Sequence, residues 1–419
     1  MLKHSPGNND SVCQSIMSPT KLRLPTLALF SVTAMVLSAV AANAEKGTIR
    51  VATYNTSLFR DKDGQLINDL ASGDNQQARK IAEVIQRVRP DVLLVNEFDY
   101  DVANRAAELF RTKYLAVGQN GAAPIHFDHS FTAPVNTGRP SGRDLSHNGK
   151  LNGPDDAIGF GKHEGQYGML VLAKFPIDRD HIRTFQNFLW RDMPGALLPI
   201  NPKTKKPFYD ADDLGVLRLS SKSHWDVPIQ VPAANGRKSF TLHLLCSHPT
   251  PPVFDGPEDR NGRRNHDEVR MFADYIDPTK SEYLVDDKGR RGGLETDAAF
   301  VIVGDLNCDP LDGAGMPGTM DQLLKSPRVN STFTPTSEGG PLVVKGHADQ
   351  FVKHHGDPAR VTADFTPEKH AALRIDYALP SQELDVVSGG VFWPNPGQPG
   401  AEAINATDHH CVWIDVRPK

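Results

Sequence analysis

Four cysteines in 419 residues, none closely spaced, leave this chain without a disulfide scaffold or a cysteine-based zinc site. There is no excess of positive charge: 46 Lys and Arg against 51 Asp and Glu give a formal charge of −5. That balance excludes the global field of a non-specific nucleic-acid binder, though local basic patches stay open. Internal repeats, low-complexity tails and heptad patterns are also lacking, which excludes solenoids and coiled coils. What is present is the composition of a large folded core, 39% hydrophobic and 23% charged.

The first 44 residues read as an export signal. Lys21 and Arg23 precede the apolar run Leu24 to Val40, and Ala42-Asn43-Ala44 supplies a small-residue cleavage site. The run is short for a bilayer span, so cleavage after Ala44 is expected in preference to a retained anchor. The long lead before the basic residues also points to Met17 as an alternative start. The expected location is periplasmic or secreted. Without Lys3, Asp10, Lys21 and Arg23 the remainder carries 43 basic and 50 acidic residues, a formal charge of −7. Cys246, Cys308 and Cys411 remain, each within three residues of a polar position singled out below. They suit small buried residues packed beneath a site, with oxidation of one pair open in an oxidising compartment.

Thr48 to Tyr54 and Asp91 to Val95 read as strands, with the amphipathic stretch Gln76 to Val88 as a helix between them. Further strands are expected at 167–173, 223–231, 240–246, 299–303, 375–379, 386–392 and 411–416, and helices at 102–112 and 267–276. No linker separates them. The expectation is one α/β domain over residues 45–419, two facing sheets with helices outside, interrupted by polar insertions at 119–165, 176–215 and 250–265.

Several of these strands stop in the same way, an apolar run followed at once by hard oxygen or imidazole groups. The first stops at Asn55, the second at Asn96-Glu97, the strand at 240–246 at Ser247-His248, and the strand at 299–303 at Gly304-Asp305-Leu306-Asn307. Each alone is explained by a turn or a helix cap. Together they suit a hard divalent cation and a phosphate at the carboxyl edge of a sheet.

In order, Asn55, Asn96-Glu97, Ser247-His248, Gly304-Asp305-Leu306-Asn307, Arg374-Ile375-Asp376-Tyr377 and Thr407-Asp408-His409 resemble the motif series of the endonuclease/exonuclease/phosphatase superfamily. The resemblance spans residues 48 to 416. It implies a four-layered α/β/β/α sandwich and a phosphoester hydrolase using Mg²⁺ or Mn²⁺. It implies Glu97 as principal metal ligand, helped by Asn55 and Asp408. Asp305 would orient and deprotonate water, and Asn307 would hold a phosphate oxygen or that water. His409, oriented by Asp376, would stabilise the transition state, and His248 would contact phosphate or assist the leaving group.

Outside the series, Tyr167 is a candidate cleft residue. The cluster Arg260, Arg263, Arg264, Asn265, His266 and Arg270 is a candidate phosphate clamp, with Arg264 and His266 foremost. A solvated loop is the plainer reading. Asp144, Ser146, Asn148, Asn152 and Asp155 follow the ligand spacing of a calcium loop of the EF-hand type, with Gly149 at its sixth position, so a weak structural Ca²⁺ site is a further expectation. The substrate is a phosphoester, with nucleic acid, small molecule and lipid head group all open. A lipid surface would need an apolar rim, for which Phe185, Phe188, Leu189, Trp190 and Met193 are the candidates, although helical or strand core is the expected place for them. A non-catalytic binding module is disfavoured by the complete motif set. No stable protein partner is expected, and a monomer is.

Overall fold

The computed structural model describes residues 47–234, 238–346, 354–365 and 372–419. The export signal expected over residues 1–44 lies outside them. Among the described residues, no helix is long and apolar enough to cross a membrane.

Six strands form the first sheet, in the order β12-β13-β1-β2-β4-β3. These are β1 (Ile49–Leu58), β2 (Val92–Phe98), β3 (His129–Phe131), β4 (Met169–Ala173), β12 (Leu384–Val391) and β13 (Val412–Pro418). The second sheet runs β11-β8-β7-β6-β5, from β5 (Arg183–Thr184), β6 (His224–Val231), β7 (Phe240–Ser247), β8 (Ala299–Asp305) and β11 (Asp376–Pro380). A two-stranded ribbon pairs β9 (Ala363–Asp364) with β10 (Ala372–Leu373). Each large sheet has one parallel pair, β1 with β2 and β7 with β8, amid antiparallel neighbours.

Near-continuous apolar runs are what a sheet covered on both faces requires, because alternate side chains point into different layers. In β2, Val92 and Leu94 enter the core between the sheets while Leu93 and Val95 meet the helices. In β8, Val301 and Val303 join the same inter-sheet core and Phe300 and Ile302 face outward. One outer layer is α1 (Gln65–Leu70), α2 (Gln76–Val88) and α3 (Arg105–Phe110), which bury Leu66, Ile81, Ile85 and Phe110. The Asn75 side chain caps α2 by accepting from the Ala78 amide at 2.9 Å. On the far side α4 (Ala211–Val216) and α5 (Arg260–Tyr275) cover the second sheet, where Met271, Phe272 and Tyr275 pack. The result is the expected α/β/β/α sandwich.

Two expectations change. The second-sheet helix begins at Arg260, not Asp267, so the segment expected as a loop to residue 265 ends helically. The 176–215 segment contributes edge strand β5, and Phe185, Trp190 and Met193 are buried beside α5. Core is the expected place for these residues, and there they lie: Trp190 donates from Nε1 to Asp267 Oδ2 at 2.7 Å. The three described cysteines are buried and unpaired.

Candidate active site

Parallel pairing within each sheet brings carboxyl ends to one edge, and antiparallel neighbours start where those strands stop. Asn55 and Glu97 thus arrive from β1 and β2, His248 follows β7, and Asp305 ends β8. Asp376 opens β11 directly opposite Asp305, and His409 precedes β13. The register of β1 against β2 breaks between Asn55 and Leu58, beside these groups. Glu97, Asn307 and Tyr167 all adopt left-handed backbone, with φ of 57°, 53° and 56°. Such conformations cost free energy and are retained where packing over-determines them.

The side chains form a connected chain. Asp376 Oδ2 lies 2.9 Å from His409 Nδ1 and accepts from Thr362 Oγ1 at 2.8 Å. The far side of the imidazole, Nε2, is 3.7 Å from Asp305 Oδ2 and 3.8 Å from Asp408 Oδ1. Asp305 Oδ2 also accepts from Asn55 Nδ2 at 3.0 Å and lies 3.4 Å from His248 Nε2. Its other oxygen accepts from the Asn307 amide at 2.9 Å. Glu97 Oε1 is 4.0 Å from His248 Nε2, and Asn307 Nδ2 donates to Pro249 O at 3.1 Å. Asp305, Asp376, His248 and His409 are almost fully buried, whereas the Glu97 side chain is 20% exposed and Asp408 48% exposed.

Burial and charge split the titrating groups. Burial alone would depress His409, but Asp376 and Asp305 outweigh it and hold the imidazolium well above the usual histidine range. Burial would likewise raise Asp305, yet His409, His248 and the Asn55 amide hold it below the usual carboxylate range. His248, desolvated and near the Lys222 cation, is pushed down to about 4 and stands neutral. Glu97 is pushed up to about 7, first by desolvation and then by Asp305, against the opposing pull of His409.

Two donor sets could hold a cation. Asp305, His409 and Asp376 have ligand atoms within 4.8 Å of one another. The close Nδ1 contact occupies the face of His409 toward Asp376, however, and ties those two side chains to each other. Glu97, Asp408 and the Asn55 amide supply hard oxygens beside them, and the burial that raises Glu97 is a cost to its charged form that a bound divalent cation would relieve.

The site opens into a cleft of about 1180 Å³. Tyr167 lines it and packs on Phe59 at 4.5 Å between ring centroids. Arg264 reaches the wall but is not a free clamp. Its guanidinium donates to the carbonyls of Leu219, Ile158 and Arg218, at 2.8 to 2.9 Å. His266 is not among the residues lining the cleft, and its Nδ1 is 3.2 Å from Asp267 Oδ1. In the expected calcium loop, Asp144 accepts from the backbone amides of Asn148 and Gly149, and Asn148 Nδ2 donates to Asp155 Oδ2. Ser146 is engaged with Asp156, and Asn152 is exposed. These hydrogen bonds order the turn locally. Lys222, absent from the expectations, is buried in the cleft wall. It lies in a Ser-Ser-Lys-Ser stretch with no periodicity or motif to mark it.

Residues 52–409 match the model of the Endonuclease/Exonuclease/phosphatase family. The chain belongs to this family. Family members are hydrolases acting on phosphoesters. A search of the curated proteins finds no match. Among solved structures, the chain is similar to an endonuclease/exonuclease/phosphatase from Beutenbergia cavernae, at 18% identity and TM-score 0.48, over 89% of this chain and 72% of that one. It is similar to sphingomyelinase C from Streptomyces griseocarneus, at 15% identity and TM-score 0.41, over 88% and 99%. A third is Staphylococcus aureus beta toxin with bound magnesium ions, at 12% identity and TM-score 0.41, over 89% and 100%.

Proposed function

We propose that this family member is a divalent-cation-dependent phosphoesterase that hydrolyses a phosphodiester or phosphomonoester by in-line attack of water. The observation that carries the reading is the unbroken series Asp376, His409, Asp305, His248, with steps of 2.9, 3.7 and 3.4 Å, beside Glu97 and Asn55. Glu97, Asn55 and Asp408 would hold Mg²⁺ or Mn²⁺, which when bound would polarise the phosphoryl group. Asp305, ionised at neutral pH, orients the attacking water and accepts its proton. Asn307 offers its amide to that water or to a phosphoryl oxygen. His409, kept cationic by Asp376, donates from Nε2 toward the charge that gathers on the equatorial oxygens. Neutral His248 is poorly suited to protonating a leaving group. It is read here as a positioning residue that fixes Asp305 Oδ2.

Purified protein with Mg²⁺ or Mn²⁺ should hydrolyse at least one substrate in a panel of nucleic acids, nucleotides, sugar phosphates and phospholipids, and lose the activity in EDTA. Asp305→Ala and His409→Ala should abolish it with the circular dichroism spectrum unchanged. Inertness across the panel, or full activity in Asp305→Ala, would sink the reading.

A second reading concerns the group that leaves. With Arg264 bound to carbonyls, Arg260 paired with Glu258 and Arg270 with Asp267, the basic cluster gives little support to an extended nucleic-acid track. The cleft wall instead presents Phe160 and Phe254, 57% and 72% exposed, with Val253 and Pro252. That wall favours a phosphoester carrying an apolar moiety, such as a phospholipid. Steep loss of activity with ionic strength would point back to a nuclease. Export is part of the proposal, and a mature N-terminus at Glu45 is the outcome to look for by sequencing the secreted protein.

A further inference from the structure

Lys222 has no role in the chemistry outlined so far. It sits just before β6, on a segment locked in place by its neighbours. The Ser221 amide donates to Glu268 Oε1 at 2.6 Å, and the Lys222 carbonyl accepts from Asn136 at 2.9 Å. A Cβ on Gly159 would come within 1.9 Å of Ser221 O, so the facing chain approaches as closely as glycine allows.

Lys222 is 7% exposed, yet its ammonium is poorly satisfied. Of three donors, the hydrogen bond found is a long one, 3.5 Å to Pro249 O. That same carbonyl accepts from Asn307 Nδ2 at 3.1 Å, so ammonium and amide converge on one atom at the cleft wall. The surrounding charges are Glu268, Glu97 and Asp305, opposed by Arg264. Glu268 is already occupied, accepting from Ser221 and from the Thr250 amide. A desolvated ammonium with spare donors, fixed beside the reacting groups, is poised for an incoming oxyanion.

We propose that Lys222 is a ligand of the phosphoryl group, donating to a non-bridging oxygen beside Asn307. The inference rests on the phosphoesterase reading of the site. It adds a fixed positive charge that the motif series does not contain, on the wall where Asn307 and His248 stand. The bland alternative makes Lys222 only a counter-ion to the buried carboxylates.

Inorganic phosphate is the probe, titrated calorimetrically into the Mg²⁺-loaded full chain. Lys222→Met should weaken phosphate binding roughly 10- to 100-fold, the loss of a charge-assisted hydrogen bond. Lys222→Arg should recover most of that, and KM for a turned-over phosphoester should rise more than kcat falls. Should Lys222→Met not fold, Lys222→Gln replaces it in the same titration. Undetectable phosphate binding by the wild type, or affinity within twofold of wild type in the methionine or glutamine variant, overturns the inference. So does a fall in melting temperature with phosphate affinity intact, which assigns Lys222 to structure alone. The two readings fail separately: an active wild type whose Lys222→Met binds phosphate normally removes only this proposal. An inert wild type with Lys222-dependent phosphate binding removes only the enzymatic one.

Discussion

Replacing Asp376 by asparagine keeps the side chain's volume and removes the charge that holds His409 cationic. The affected contact is the 2.9 Å approach of Asp376 Oδ2 to His409 Nδ1, between two side chains exposed by 6% or less, with Thr362 Oγ1 on the same oxygen. Breaking one side of a buried charged pair costs about 3 to 5 kcal/mol. If that loss falls on the transition state, kcat/KM drops roughly a hundred- to several-thousandfold. The direction of the titration follows from the opposing effects. Burial pulls His409 down while Asp376 and Asp305 push it up, so losing Asp376 lowers its pKa. The basic limb of the pH–rate profile, where His409 loses its proton, should therefore move to lower pH in Asp376→Asn. A chromogenic phosphodiester with Mg²⁺ gives the rates, and NMR of the labelled imidazole gives the titration without reference to any substrate. An unshifted His409 titration, or kcat/KM within threefold of wild type, would refute the reasoning.

Mn²⁺ binding should weaken about tenfold per pH unit below about 7, where a proton competes for Glu97, and level off above; calorimetry across pH 5 to 8 checks this, and Glu97→Gln should abolish binding. His224, buried with its pKa pushed down to about 4 by desolvation, binds fewer protons folded than unfolded between pH 4 and 6.5. Its contribution is complete above pH 6.5 and should be lost as pH falls toward 4, by about 3 kcal/mol, and equal urea stabilities at pH 7 and 4.5 would contradict that. Gly304→Ala should unfold several degrees lower and lose activity, because at φ 149° its Cβ would fall 2.0 Å from Ser247 O and force β7 from β8; an unchanged melting temperature would count against the close approach.

The two central sheets were legible because their strands are buried on both faces, which writes continuous apolar runs such as Val92 to Val95 into the chain. The grouping of the candidate residues was legible because they sit at or near the ends of those runs. Asn55, Glu97, His248, Asp305, Asp376 and His409 lie within or up to three residues beyond a strand, and the structure brings all six together. Residues whose roles depend on distant partners were not legible. Arg264 suits phosphate by its chemistry, but three carbonyls from other segments claim its guanidinium. Helix α5 starts early because Asp259, at φ 54°, lets the chain turn into it without a side-chain cap. Lys222 has no local signal, since its meaning comes from Pro249 and Asn307.

The paired parallel strands at the heart of each sheet have a practical consequence. The proposed reacting groups sit at or beside the ends of these sheet strands, while the cleft's outer wall is drawn from segments 144–160 and 250–261. Chemistry and discrimination are thereby housed in separable parts. Exchanging Pro251–Phe254 for a polar sequence should retune which alcohol is accepted and leave the rate of the bond-breaking step on a minimal substrate unaltered. For anyone wishing to redirect this protein, that edge is where to cut.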